Sequence, residues 1–564
     1  MHPKAEYTKL TPFGRVLFAA APLFPLGIYL TLATRWLFDE SIGYPDADRL
    51  LMDGVFLADF LRELPLLHPL EFAVTYFAQY PALSIGYKPP FFPLVESFFI
   101  MGFGEHVWAG RLAVIALGML GGIAFFATVQ RMYGRAVATF ASALLASLPY
   151  IVWWSWYTMT EIPVLALLLA TGFLTWKLAE SGNAKWAYPA ALVFAATLWT
   201  KQSAIFAVLW LLPVLLMSPH RSSLIKQRDV WWSVGLLVLA VLPLAAMTIA
   251  LGDLNLGQSI GANPRGEQLP RWHPDNLAFY LNAIVDQQAS WPLALTALFG
   301  AAVGLQPFDR RLIFWLLLFF STYVFFTALN DPHVDRYTIF LLPAITVFAA
   351  LPASRLPTPR LRAIYGFWLA TLVAWQAGQA YFTQPQRSEG FQEAARLAVD
   401  RGQTPVVFID AYNNGYFTFF VRALDPDRSK YVVRGDKVLS SSAVDTTTWA
   451  RQHVDSRDQL IALLKRSGAD ILVLEQENYT NFPIHDLLRA VVMGEGFELL
   501  DEIPIVSTLP RYRNQKLLVY RFLSNTGADG PKGISLPLPI IGKELYVPTD
   551  GSAPSLDDLQ ARPE

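Results

Sequence analysis

The chain is 564 residues long, 54% hydrophobic and 14% aromatic, with only 16% charged residues and a formal net charge of −1. So apolar a composition excludes an ordinary soluble protein, and the balanced charge excludes the broad basic field that nucleic acid binding requires. With no cysteine there is no disulfide, thiolate nucleophile or iron–sulfur site, and the eight histidines are scattered without ligand-like spacing. The chain reads as a polytopic membrane protein.

Lys4, Lys9 and Arg15 lead into an apolar run without a small-residue cleavage site, which reads as an uncleaved anchor. About twenty apolar residues cross the hydrocarbon layer, and short loops rich in Lys and Arg stay in the cytoplasm. A first span at 14–34 therefore leads outward into Phe38-Asp39-Glu40-Ser41-Ile42-Gly43-Tyr44-Pro45-Asp46-Ala47-Asp48-Arg49. Residues 35–107 form a long exoplasmic loop with amphipathic pieces at 50–64 and 71–79, followed by Tyr87-Lys88-Pro89-Pro90 and an apolar run at 91–103. That run is too short to span and is expected to lie as an interfacial or re-entrant helix. Further spans at 110–130, 136–154, 161–178, 186–200, 203–218, 231–251, 291–305, 312–329, 337–353 and 363–383 bring the total to eleven and close a membrane domain over 1–383. This choice places Arg131 and Arg135, Lys177 and Lys185, Arg221 with Lys226 and Arg228, Arg310 and Arg311, and Arg355 with Arg360 and Arg362 on the cytoplasmic side, and the C-terminus outside. From 384 to 523 helix-like stretches (391–401, 457–466, 486–493) alternate with strand-like ones (405–410, 470–475, 516–522), which predicts a small soluble α/β domain. Residues 524–564, rich in Pro, Gly, Asp and Ser, are expected to form a loosely ordered tail.

An ionisable residue near membrane depth costs several kcal/mol unless paired or hydrated, so each is a site candidate. On the outer side stand Asp39 and Glu40 after span 1, Lys88 before the short helix, Glu161 opening a span, Lys201 between two apolar runs, and His333 with Arg336 and Tyr337 before a late span. Acids and cations around one cavity suit a reaction that activates a hydroxyl while holding a phosphate. The carboxylate takes the proton, and Lys and Arg stabilise the departing phosphate. Glycosyl transfer from a lipid phosphate needs both. Each residue also has a plainer reading. The acid pair could be a solvated loop start, Lys88 and Lys201 could snorkel from helix ends, Glu161 could cap its helix, Arg336 could pair with Asp335 or Asp331, and His333 could be an ordinary loop histidine. The tryptophans at 153, 154 and 156 read as an interfacial belt or a platform for a sugar face, and residues 252–290 as a candidate lid.

The ordered set of Asp39-Glu40 after the first span, Lys88-Pro89-Pro90 before an apolar helix, Thr160-Glu161-Ile162-Pro163, Leu198-Trp199-Thr200-Lys201, and Arg336-Tyr337 followed by Leu341-Leu342-Pro343 resembles the GT-C membrane glycosyltransferases. Within them it is most similar to the branch holding the protein mannosyltransferases and the lipid A aminoarabinose transferase, over about residues 14–383. The chain departs from the family pattern at Phe38, Glu161 and Gln202. The resemblance implies an all-α polytopic membrane domain and a sugar donor carried on a polyprenyl phosphate. It further implies transfer with inversion to a lipid, glycan or protein acceptor at the exoplasmic face of a membrane, read here as the outer face of a bacterial cytoplasmic (inner) membrane, or the lumenal face in a eukaryote. By position it implies Asp39 as general base, Glu40 as its partner, and Lys88 and Arg336 as phosphate contacts. A divalent metal is possible beside adjacent acids, though two acids with no third ligand argue for it only weakly. The alternatives are a transporter or flippase of lipid-linked sugars, which would carry charge deep within its spans, and a non-catalytic sensor.

Overall fold

The computed structural model describes residues 21–85, 87–250, 273–304, 310–329, 334–442, 450–523, 533–538, 543–548, 554 and 556–561. His333 and residues 252–272 of the candidate lid lie outside these.

Among the described residues, five helices are long and apolar enough to cross a membrane: Val107–Tyr133, Glu161–Ser181, Arg228–Ala250, Arg310–Ala328 and Asp335–Arg355. The other six expected spans also hold helices, at Leu23–Ala33, Arg135–Ser147, Ala187–Leu198, Gln202–Leu216, Trp291–Gly304 and Pro359–Phe382. The chain is thus an integral, multi-pass membrane protein. Close packing between its helices is built on small residues, as apolar solvent demands. At Gly121 a β-carbon would lie 2.5 Å from the backbone of Ala166, so the helices Val107–Tyr133 and Glu161–Ser181 meet there nearly backbone to backbone.

Three helices precede the first long span: α2 (Ala47–Glu63), α3 (Pro69–Gln79) and α4 (Phe91–Phe103), after α1 (Leu23–Ala33). α4 follows the expected short apolar run, presenting Phe92 and Ile100 to the core and Phe98 and Phe103 outward. α2 is amphipathic, burying Leu50, Leu51 and Val55 against α4, and its N-cap is Asp46. Residues 273–290, the described part of the candidate lid, form a helix (Pro274–Ala283) and a π turn (Ile284–Gln288).

The C-terminal domain is built on a five-stranded sheet. β1 (Val406–Asp410), β2 (Tyr431–Arg434) and β3 (Ile471–Glu475) run parallel, with every residue buried, as strands covered on both faces must be. β4 (Phe497–Pro504) and β5 (Lys516–Phe522) add on antiparallel, giving the order β2-β1-β3-β5-β4. Beyond 523, where composition predicts a loosely ordered tail, the described residues make a three-stranded antiparallel sheet of Gly533–Leu538, Lys543–Pro548 and Leu559–Ala561.

The domain is fastened to α2 and α3 by buried polar groups. Arg422 reaches Asp59 Oδ2 at 2.7 Å with both side chains almost fully buried, Tyr76 donates to the same oxygen at 2.9 Å, and Tyr80 donates to Asp425 at 3.0 Å. Nearer the membrane, Gly43 lies so close to the Gln386 carbonyl that no β-carbon fits. Removing one partner of a buried pair leaves an uncompensated charge, whereas removing both is nearly neutral. Asp59 keeps a second, more exposed partner in Arg62 at 3.0 Å. Arg422→Met should therefore destabilise the protein by about 1–3 kcal/mol, seen as a lower thermal midpoint, and adding Asp59→Leu should recover only part of the loss because Tyr76 then loses its acceptor.

Candidate active site

The polar cluster forms where the ends of several helices meet outside the membrane core. Glu161, buried at the first residue of its helix, accepts from Lys201 Nζ at 3.0 Å. Its Oε1 also lies 3.6 Å from Arg336 Nε. The helix N-terminus adds its own positive field to that of the two cations. Lys201 sits in the break between Ala187–Leu198 and the 3₁₀ turn Gln202–Phe206, and Arg336 is the second residue of the 3₁₀ turn Asp335–Leu341. Such non-helical backbone at the membrane face is tolerated where it lines a protein cavity.

Asp46 completes the network from the loop. Its Oδ1 is 3.3 Å from Lys88 Nζ and its Oδ2 is 3.5 Å from Arg336 Nη2, with about a third of the side chain (36%) exposed. Burial pushes its carboxyl up, but Lys88, Arg336 and Arg49 outweigh that and hold it at about 2. Arg336 spends few of its donors: Nε and Nη1 have no hydrogen-bond partner, nor has Glu161 Oε2. The guanidinium lies 5.3 Å from the Tyr44 ring, 5.7 Å from Tyr337 and 5.9 Å from Trp154, an aromatic surround that holds the cation in place. Lys201 Nζ stands 5.1 Å from the Tyr337 ring. Trp153 and Trp154 pack edge-on against Tyr44 and support this surround, whereas Trp156 lies apart, buried, its Nε1 donating to the Leu32 carbonyl.

Of the residues singled out in the sequence, Lys88, Glu161, Lys201, Arg336 and Tyr337 come together. Asp39 and Glu40 do not join them. Asp39 Oδ1 accepts from its own neighbour Ser41 N at 2.8 Å, and Glu40 Oε2 accepts from Val107 N at 2.9 Å, with His106 at 3.2 Å from its other oxygen. Glu40 thus caps the Val107–Tyr133 helix, where an anion is favoured. Buried Arg111 fixes the same loop by donating to the carbonyls of Trp36, Leu37, Asp39 and Ser41. Asp46 was passed over in the sequence because Asp39-Glu40 stands nearer the span. The available signal was its place directly before an amphipathic helix, at an N-cap.

Lys88 is held from behind by Asp53, wholly buried on α2. Asp53 accepts from Ser84 N at 2.8 Å, from Ser84 Oγ and from Ile85 N at 3.2 Å, while the Ser84 carbonyl accepts from Lys88 N at 2.8 Å. Glu96 of α4, also wholly buried, has no hydrogen-bond partner and fills the space above Gly54 and Gly110. Among the described residues no three His, Asp or Glu side chains converge as metal ligands, and the acids of the cluster face cations instead.

The family model for dolichyl-phosphate-mannose-protein mannosyltransferase matches residues 87–246, the stretch that carries Lys88, Glu161 and Lys201. The structure aligns with crystal structures of ArnT from Cupriavidus metallidurans, bound to undecaprenyl phosphate and in the apo state. Each is 13% identical, with a TM-score of 0.59 over 90% of this chain and 99% of that one. The chain has the GT-C fold. An oligosaccharyltransferase from Archaeoglobus fulgidus is more distant, at 10% identity and a TM-score of 0.46 over 81% of this chain and 68% of that one. By sequence, no curated protein matches.

Burial raises Asp53 to about 7, so in the folded protein it keeps its proton over a range where the unfolded chain has lost it. Its stabilising contribution is complete below the unfolded carboxylate value of about 4 and is lost as pH rises through 7, at up to about 1.4 kcal/mol per pH unit. The Asp53→Asn variant should lose that slope between pH 4 and 7 in denaturation measurements, while an unchanged slope would contradict it.

Proposed function

We propose that the chain is an integral membrane glycosyltransferase that moves a sugar from a polyprenyl-phosphate donor to a hydroxyl or amine of a lipid, glycan or protein acceptor. The observation that carries this is a partly exposed carboxylate, Asp46, facing Lys88 and Arg336 beside the ends of apolar helices in a GT-C fold, a face this reading takes as exoplasmic. In this reading all eleven helical segments span, and the C-terminal domain lies outside.

The resting cluster also suggests how the base is switched on. A carboxyl held at about 2 is a poor proton acceptor at neutral pH. When the donor phosphate binds, Lys88 and Arg336 turn their field toward it and Asp46 loses two of the charges that depress it. Its basicity then rises in the complex that needs it. Asp46 takes the proton as the acceptor oxygen bonds to the anomeric carbon, and the bond from that carbon to the phosphate oxygen breaks. The negative charge left on the polyprenyl phosphate is met by Lys88 and Arg336. Lys201 and Glu161 fix Arg336 in place from the membrane side. One displacement with one base inverts the anomeric centre. A flippase would call for charge in mid-span, and the cluster's charges sit at helix ends and in loops.

In a transfer assay with purified protein, polyprenyl-phosphate sugars and a panel of acceptors, Asp46→Asn should lose about 10²–10⁴-fold in rate, the usual worth of a general base. Asp39→Asn should stay within a few-fold of wild type. The reverse ranking would overturn the assignment, and transfer by neither wild type nor variant with any donor would overturn the reaction class.

A further inference from the structure

The turn between α2 and α3 is Leu64-Pro65-Leu66-Leu67-His68-Pro69-Leu70, and it is apolar where a solvated turn would be polar. Leu64, Leu66, Leu67 and Leu70 are 57%, 70%, 90% and 68% exposed, in contrast to the buried leucines of α2. Contiguous exposed apolar surface of this kind marks a contact with a partner or a membrane.

Three features point to the bilayer as that partner. The first is depth. Arg62, at the end of α2, donates to Glu105 at 2.6 Å, and Glu105 lies two residues before the exoplasmic start of the Val107–Tyr133 membrane helix. The turn is therefore level with the membrane face, not raised above it. The second is continuity. On the same level Phe98, Met101 and Phe103 of α4 and Phe38 are exposed, and Phe38 and Phe103 pack on Trp108 with ring centroids 5.6 and 5.4 Å apart, an aromatic girdle of interfacial type. The third is the side left open. The C-terminal domain holds this hairpin through Asp59, Glu63, Tyr76, Gln79 and Tyr80, all of them outside the turn.

Most of the turn's N–H groups are already satisfied, which fits a shallow insertion at headgroup level. Leu66 N donates to the Leu64 carbonyl at 2.7 Å and His68 N to that of Pro65 at 3.1 Å, while Pro65 and Pro69 bring no N–H to be satisfied. Leu64 is held at φ 47°, a left-handed cap where glycine would be unstrained, so an apolar side chain is kept at a place that sterics disfavour. Arg62, His68 and Glu71 form a polar rim of headgroup type.

We infer that residues 64–70 dip into the exoplasmic leaflet and anchor the free end of α2 to the bilayer. The other end of α2 is capped by Asp46, about 25 Å away at 1.5 Å per residue. A helix pinned to the membrane at one end presents its N-terminal carboxylate at a set height above the leaflet that delivers lipid substrates.

The absence of cysteine makes the test clean. Nitroxide labels on Leu66→Cys, Leu67→Cys and Leu70→Cys are compared, in the full chain in phospholipid nanodiscs, with labels on Glu477→Cys in the exposed C-terminal domain and on Val238→Cys on a lipid-facing helix. Relaxation by oxygen and by a water-soluble nickel chelate is read for each. The three turn sites should resemble Val238, with oxygen access several-fold above nickel access relative to Glu477. Turn labels that match Glu477 would overturn the inference, as would labels shielded from both agents, the result of a second copy or a protein covering the turn. The readout involves no sugar transfer, so it stands or falls apart from the proposed reaction.

Discussion

An ionised carboxylate beside hydrocarbon is costly unless cations or hydrogen-bond donors face it, and a cation there is costly unless carboxylates or carbonyls face it. The pairs Glu161–Lys201, Glu161–Arg336, Asp46–Arg336 and Asp46–Lys88 form one chain of mutual compensation running from the first turn of a membrane helix out to a loop. Five separate segments of the sequence must meet for it to exist. Every part of the fold near the site can be understood as holding one of them: Arg111 and Glu40 fix the loop before Asp46, Asp53 fixes the turn before Lys88, and the helix at Glu161 fixes the inner end.

The network opens toward the outside at Asp46, which remains a third exposed (36%), whereas Glu161 is 1% exposed. An anion entering from outside would therefore compete for Arg336 and Lys88 against Asp46, not against Glu161. In the proposed reaction this polarity would give one set of side chains two tasks in sequence, binding the phosphate and then releasing the base. The C-terminal domain contributes by holding α2, whose first turn follows Asp46, through the buried Asp59–Arg422 pair.

Much of this was legible in the sequence, for physical reasons that differ by region. Membrane helices announce themselves because hydrocarbon demands long apolar runs, and the short run at 91–103 was recognisable by its length alone. The strands at 406–410 and 471–475 stand out because strands buried on both faces must be continuously apolar, and 516–522 by its run of β-forming residues, with Leu517, Val519, Tyr520 and Phe522 buried. The helix Asn414–Leu424 did not, since Tyr416, Phe417, Phe419, Phe420 and Val421 have the composition of a strand and only packing makes them helical. Lys88, Glu161, Lys201 and Arg336 were visible as charges next to apolar runs. Asp39 and Glu40 looked equivalent to them, and nothing local could reveal that Arg111, seventy residues on, turns that loop toward its carbonyls and leaves Asp46 to face the cations. Which acid of a cluster faces inward is decided by tertiary contacts.

The central claim is that Lys88 and Arg336 are a phosphate site occupied in the resting protein by Asp46. The most direct measurement is the affinity of the nanodisc-embedded protein for a polyprenyl phosphate bearing no sugar, which isolates this competition from chemistry. Arg336→Gln should weaken binding by tenfold or more, while Asp46→Asn, which frees both cations, should bind at least as tightly as wild type. Unchanged affinity in Arg336→Gln, or weakened affinity in Asp46→Asn, would contradict the account.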